Sequence, residues 1–473
     1  MRLISVGVVL AYGLVLSACS ATYSEKIAGV LTAYYNGDLA TARLEIANAI
    51  ENSGPGEGEY NLFLLEESLV QLASGDAQAA EERLRVVRDS LDKLEAENLQ
   101  GIMGELGSYL ADDRFTVYKG DDYERILVRV FLAFASLLAG GDDAIAYSNQ
   151  ILEKQRDILE QESPDRTGRK YKRRYKRLGV GAYLYAVITE DRDSTGESEA
   201  SISYKRVREW EPQFTSIEKD IRRVDQEAHT QAGHGVLYVF GFVGRGPVKV
   251  EVVEEDLMIG SEISLQMVRF IDVFRDYGPT LDLSPIRIPD LVPYPENLVR
   301  HLSIWVNGEQ KGTTETLTDV TRTAMQQYAQ VRDWVLAKAL LRRMVKKAIT
   351  TGVKGAARQA VRSGDHRHED AAFVAIEIAG ILANTIWSGV ERADTRHWSL
   401  LPDKIEAVRI ELPAGVHEID VLPGVGQDTF GRKRSTRVRI VEGGHTYVYA
   451  FVPSPVAGPA LLSSRSVDKP PIE

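Results

Sequence analysis

The 473-residue sequence predicts an α+β protein in which an N-terminal α-solenoid of helical hairpins is followed by a β-rich region with an inserted helical block. Two observations point there. A Gly-Asp turn with a small residue five places after the glycine recurs in the first half, and after Gly235 the apolar residues change to alternation. The expected boundaries are 1–18 for an export leader, 19–228 for the helical region, 229–458 for the β-rich region with a helical insertion at 318–391, and 459–473 for a disordered tail.

In the leader, Arg2 precedes the apolar run Leu3 to Leu16 and the small residues Ser17 and Ala18. The run is shorter than the ~20 apolar residues that span a bilayer as a helix, so removal is expected. Leu16-Ser17-Ala18-Cys19 resembles the bacterial lipobox, in which the thiol is acylated and the bond before it is cleaved. The resemblance implies a lipid on Cys19, the single cysteine of the chain, and a body held at a membrane and facing the periplasm. A lone exported cysteine has no internal disulfide partner, and acylation accounts for it. The alternative is an ordinary secretory leader with an incidental cysteine. Ser20 is similar to the residue found there in lipoproteins sorted to the outer membrane of Gram-negative hosts.

The formal charge of −11 argues against nucleic acid as a partner. The stretch closest to a second span, Ala371 to Val390, contains Glu377, Asn384 and Trp387 and reads as a buried helix.

Within the helical region the turns are Gly37-Asp38 with Ala42, Gly75-Asp76 with Ala80, and Gly141-Asp142 with Ala146. Glycine ends one helix in the left-handed conformation, aspartate caps the next, and alanine permits close approach. A looser copy runs from Gly196 to Pro212, with Ala200, Ile202, Tyr204, Val207 and Trp210 between. The turns resemble those of tetratricopeptide repeats, with irregular spacings of 38, 66 and 55 residues. An unrelated helical bundle is the alternative, and either one presents a surface without implying catalysis.

The loop from Asp112, Asp113 and Arg114 through Tyr118, Asp121, Tyr123 and Arg125 is dense in polar and aromatic groups and is a candidate interaction surface lining a groove. The plainer reading is that Asp121 and Asp122 cap a helix while Tyr118 and Tyr123 pack around it. The basic linker at 163–178 carries eight cations between Arg166 and Arg177. It suits anionic head groups, an anionic envelope polymer, or plain solvent.

In the β-rich region, strands are expected around Val236 to Phe240, Val248 to Val252, Ser264 to Phe270, Leu302 to Val306, Val408 to Leu412, Val416 to Leu422, Val438 to Val441 and Thr446 to Phe451, each with one buried face. Pro413-Ala414-Gly415 and Gly443-Gly444 read as hairpin turns, and the first resembles the short strand pairs of the PEGA type. The helical block carries Lys338, Arg342, Arg343, Lys346 and Lys347 beside an apolar side of Val335, Leu336, Leu340, Val345 and Ile349. Such a helix packs on strands with its charges in water, or lies on a membrane surface.

Chemistry is sparse. The Gly-rich run Gly241 to Gly246 leads into Pro247 and another strand, so no helix N-terminus is offered to a phosphate. His366-Arg367-His368-Glu369-Asp370 places two imidazoles beside two carboxylates, but arginines surround them and zinc needs three or four fixed ligands, so no metal and no cofactor is expected.

Ala393-Asp394-Thr395-Arg396-His397-Trp398-Ser399-Leu400-Leu401-Pro402, with Arg409, Leu412 to Gly415, the Tyr118 to Arg125 stretch and Gly246 to Lys249, resembles a family of uncharacterised bacterial lipoproteins with a tetratricopeptide-like N-terminal half. The resemblance implies an envelope protein without established activity. From the residues themselves, Asp394, Arg396 and Trp398 are expected to pin the joint between the helical block and the last strands. The leading expectation is a non-catalytic scaffold that binds an envelope protein. The competing one is a glycan-binding or glycan-processing protein using Asp112, Asp113, Asp121 and Asp122, although hydrolysis needs two carboxyls facing each other across a cleft.

Overall fold

The computed structural model describes residues 22–56, 58–98, 117–160, 175–192, 197–255, 285–350, 392–426 and 430–467. Cys19, Asp112, Asp113, Arg114, the strand expected over Ser264 to Phe270, the His366 to Asp370 segment and the apolar stretch Ala371 to Val390 lie outside them. The class is α+β.

Among the described residues ten helices precede the sheets: α1 (Tyr23–Lys26), α2 (Ala28–Tyr35), α3 (Leu39–Glu51), α4 (Tyr60–Ala73), α5 (Ala77–Asn98), α6 (Asp122–Ala139), α7 (Ala144–Glu160), α8 (Val180–Arg192), α9 (Glu197–Trp210) and α10 (Ile217–Asp225). Each packs on the next in chain order. The Gly-Asp turns explain why. Gly37 and Gly75 have φ of +80° and +90°, Asp38 accepts the Thr41 N–H at 3.0 Å, and Ala42 and Ala80 are buried at the crossing. The third turn differs. Gly140, not Gly141, takes the left-handed φ of +72°, so the register slips and Ala144 is buried while Ala146 is exposed.

A five-stranded sheet follows in the order β11-β10-β1-β7-β6, made of β1 (His234–Val243), β6 (Glu315–Asp319), β7 (Lys404–Pro413), β10 (His445–Val452) and β11 (Ala460–Ser463). β1 and β10 are parallel and the other pairs antiparallel. A second sheet has the order β5-β4-β8-β9, from β4 (His301–Val306), β5 (Glu309–Thr313), β8 (Gly415–Gly424) and β9 (Arg434–Ile440). β2 (Val248–Glu254) and β3 (Ile286–Val292) form a separate antiparallel pair. The helix α11 (Val320–Thr350) packs on β3, burying Leu336 and Leu340 against Ile286 and Ile288.

The arrangement is layered: helices, the five-stranded sheet, then the four-stranded sheet. On β1, Tyr238, Phe240 and Phe242 point into the core shared with the helices, while Leu237, Val239 and Val243 meet Leu302, Ile304 and Ile419 of the other sheet. Alternation here separates two buried faces, not one buried face from solvent as expected. A single apolar core thus joins the helical and β-rich regions, with Phe131 and Phe134 of α6 against Phe242 at 5.5 and 5.0 Å.

Three further expectations are corrected. Pro413-Ala414-Gly415 and Gly443-Gly444 are not hairpin turns, because β7 and β10 belong to the five-stranded sheet and β8 and β9 to the other. Both are corners where the chain changes sheets, as happens in packed sandwiches. The PEGA-like strand pair therefore does not form. The tail is not disordered from 459, since β11 pairs with β10 over Ala460 to Ser463. Thr318 and Asp319 belong to β6, and the helix of the inserted block starts at Val320. The sequence reading also missed a hairpin at Asn307-Gly308, whose φ values of +52° and +84° suit the tight turn joining β4 to β5. Among the described residues no helix is long and apolar enough to cross a membrane.

Candidate functional site

The 393–402 segment is held by two carboxylates that rise from the helices. Glu66 of α4 accepts the Ser399 N–H at 2.6 Å, the Leu400 N–H at 3.0 Å and the Tyr23 hydroxyl at 2.6 Å. Glu124 of α6 accepts the Trp398 and Asp121 N–H groups, both at 2.8 Å, and the hydroxyls of Tyr118 and Tyr123. Neither carboxyl is exposed. Burial pushes Glu66 up to about 7 against its three donors, and burial with the Asp121 charge raises Glu124. Trp398 lies over Phe131 with centroids 5.5 Å apart. Arg396 forks onto Asp394 at 2.9 and 2.8 Å and donates to the Gly58 carbonyl at 2.9 Å, the same oxygen that accepts the Tyr118 N–H. These contacts tie the segment ahead of the last strands to α4, α6 and the Gly58 loop of the N-terminal helices, not to the inserted helical block as expected.

Beside this joint opens a cleft of about 350 Å³. One wall is the start of α6 with Tyr118, Asp121, Tyr123 and Arg125; another is Asp394 and Arg396; a third is α11 with Tyr328, Val331 and Val335, and the floor includes Ile288 and Pro289 of β3. The two residue groups singled out separately in the sequence therefore meet at one site. Lys249 of β2 reaches in, 2.8 Å from Asp121. Burial opposes its charge, but the carboxylates of Asp121, Glu124 and Asp394 outweigh that and raise its pKa, so it stays protonated. Tyr118 and Tyr123 are nearly fully covered and Asp121 sits at the α6 N-terminus, so the capping-and-packing reading also describes them. In the basic linker, Lys176 pairs with buried Glu211 at 2.6 Å and Arg177 stacks on Trp210, so these two cations serve packing.

A second polar cluster, foreshadowed by nothing in the sequence, lies at the other end of the helix-sheet interface. Glu190 of α8 accepts both Arg223 guanidinium nitrogens, the Tyr204 hydroxyl at 2.8 Å and His229 Nδ1 at 2.7 Å. Ligand atoms of Glu190, His229 and His445 lie within 4.8 Å of one another, a spacing that invites a metal. The donor chemistry argues otherwise: both Glu190 oxygens are already occupied, and a dication would have to displace Arg223 with Arg409 also nearby. Its members come from positions 190, 223, 229 and 445, so no local motif marks it.

His229 clasps this cluster. Its Nδ1 faces the Glu190 carboxylate and its Nε2 faces the Gly443 carbonyl at 3.0 Å, so only the imidazolium satisfies both acceptors. The Glu190 hydrogen bond raises the His229 pKa against partial burial. A raised native pKa gives stability that is complete below the unfolded value of roughly 6.5 and lost as pH rises through the native one. Glu66 has the same sign: its part is present below roughly 4.3 and lost as pH rises to about 7. These two groups therefore pull urea midpoints down as pH rises across this window, against buried His397 and His445, whose lowered pKa values act with the opposite sign. His229→Gln removes the upper part of the slope and Glu66→Gln the lower; unchanged slopes in both variants would contradict these assignments.

Comparison of the chain with protein-family models, with curated proteins and with solved structures finds no match.

Proposed function

We propose that the chain is a lipid-anchored, periplasm-facing envelope lipoprotein, attached through Cys19, that acts without catalysis as a scaffold for an envelope protein partner. In a Gram-negative host its place is the outer membrane. On this reading the helical hairpins are a tetratricopeptide-like solenoid, and the cleft at its joint with the β-rich region is the surface offered. The observation that carries the reading is the state of Glu66 and Glu124. Their perturbed pKa values are of the kind an acid or base would use, yet each is fully covered and has both oxygens taken by donors of the joint. They work as pins. A glycan-processing role has less support, because Asp121 is engaged by Lys249.

Two measurements test this. Mass spectrometry of the native protein is expected to find a mature N-terminus at an acylated Cys19; a chain beginning at Met1 or a bare thiol overturns the anchor. A photo-crosslinker placed at partly exposed Lys119 in the cleft is expected to trap one or a few discrete envelope proteins, whereas the same group at exposed Leu44 does not. Equal trapping from both positions, or none from the cleft, counts against the scaffold.

A further inference from the structure

The outer edge of the cleft is cationic although the chain as a whole carries −11. Arg287 of β3, Lys338 of α11 and Arg392 ahead of the joint line it together; Arg287 and Arg392 are exposed, and among the described residues the one carboxylate paired there, Glu251 of β2, meets Arg287. This edge lies beside the point where the N-terminal segment leaves the body. Lys26, at the end of α1, pairs with Glu59 at 2.5 Å, and the neighbouring Gly58 carbonyl accepts from Arg396 of the cleft wall at 2.9 Å. Cys19 stands three residues before Thr22. A chain spans at most ~3.3–3.6 Å per residue, so a lipid on that cysteine brings the bilayer to within about 10 Å of Thr22. That distance is comparable to the Debye length of ~8–10 Å in physiological salt.

We propose that Arg287, Lys338 and Arg392 form a second membrane contact that binds the phosphates of anionic lipid headgroups and fixes how the body sits on the bilayer. The proposal rests on the lipid-anchor reading: the acyl chains attach the protein, and the cationic edge turns toward the headgroups and so fixes the body's orientation. Each basic residue near such a surface contributes about fivefold in partitioning, or ~1 kcal/mol.

The test uses the lipid-free chain from Ser20 to Glu473, which holds every described residue, sedimented with vesicles of phosphatidylcholine alone or mixed with phosphatidylglycerol. Binding is expected only to the mixed vesicles and weakens as salt is added. Lys338→Glu and Arg392→Glu each lower it at least fivefold, while Arg434→Glu, on exposed β9, leaves it unchanged. Thermal unfolding checks that each variant is folded, and Lys338→Gln with Arg392→Gln repeats the test without adding negative charge. Equal binding to both vesicle types, or wild-type binding by the folded double variant, overturns the proposal. A bare Cys19 in the native protein sinks the anchor by a different measurement, so the two readings fail separately.

Discussion

Glu124→Ala is expected to destabilise the fold by about 3–5 kcal/mol, because several buried donors lose their acceptor in one step. The Trp398 and Asp121 N–H groups and the Tyr118 and Tyr123 hydroxyls all point at that carboxylate, and Trp398, Tyr118 and Tyr123 are buried. Lys249 would also lose one of the three carboxylates that keep it charged. Glu124→Gln is expected to fall between the two, since it keeps the shape and one accepting oxygen but turns a second donor toward donors. Urea unfolding measures both. A loss below about 1 kcal/mol for the alanine variant would mean that the joint is held elsewhere.

Trp398→Ala is expected to cost a similar amount, about 3–5 kcal/mol, through the cavity left in the interlayer core. The ring is 1% exposed and packs edge-on against Phe131, which in turn meets Phe242 of β1 at 5.5 Å. Its loss therefore loosens the contact between helices and sheet, and tertiary near-ultraviolet circular dichroism should weaken before helix content falls. Trp398→Phe keeps the aromatic contact and should recover most of the stability. A Trp398→Ala protein with wild-type unfolding midpoint would remove the segment from its role as a pin.

The helical half was legible from local signals. Gly37, Gly75 and their following aspartates dictate the turns wherever they occur, because a positive φ and a side-chain cap depend on neighbours within one helical turn. At Gly140-Gly141 the local signal was ambiguous, since two adjacent glycines can each take the left-handed position, and packing against Ser136 selected the first. In the β-rich half the strands over 236–240, 302–306, 408–412, 416–422 and 446–451 were readable, but their partners were not. A Gly-containing interval of three residues looks the same whether it closes a hairpin or turns a corner between two sheets. The candidate site divides in the same way. Trp398, Asp394 and Arg396 stood out by composition, whereas Glu66 carried no signal, and Glu124 and Lys249 lay inside the Tyr118 to Arg125 and Gly246 to Lys249 stretches without being singled out.

Taken alone, the sequence determined the leader-like segment with its single cysteine, the order of helices and then strands, the Gly-Asp turns and the importance of the 394–398 segment. Tertiary structure decided which sheet each strand joined, that β1 is buried on both faces, that Ala460 to Ser463 form a strand, and that two distant loops share one cleft. The division has a physical cause. Caps, turns and periodicity are settled by forces acting over a few residues. The fate of a buried carboxylate is settled by donors that arrive from more than 250 positions away, as Trp398 does at Glu124, and only the folded chain brings them together.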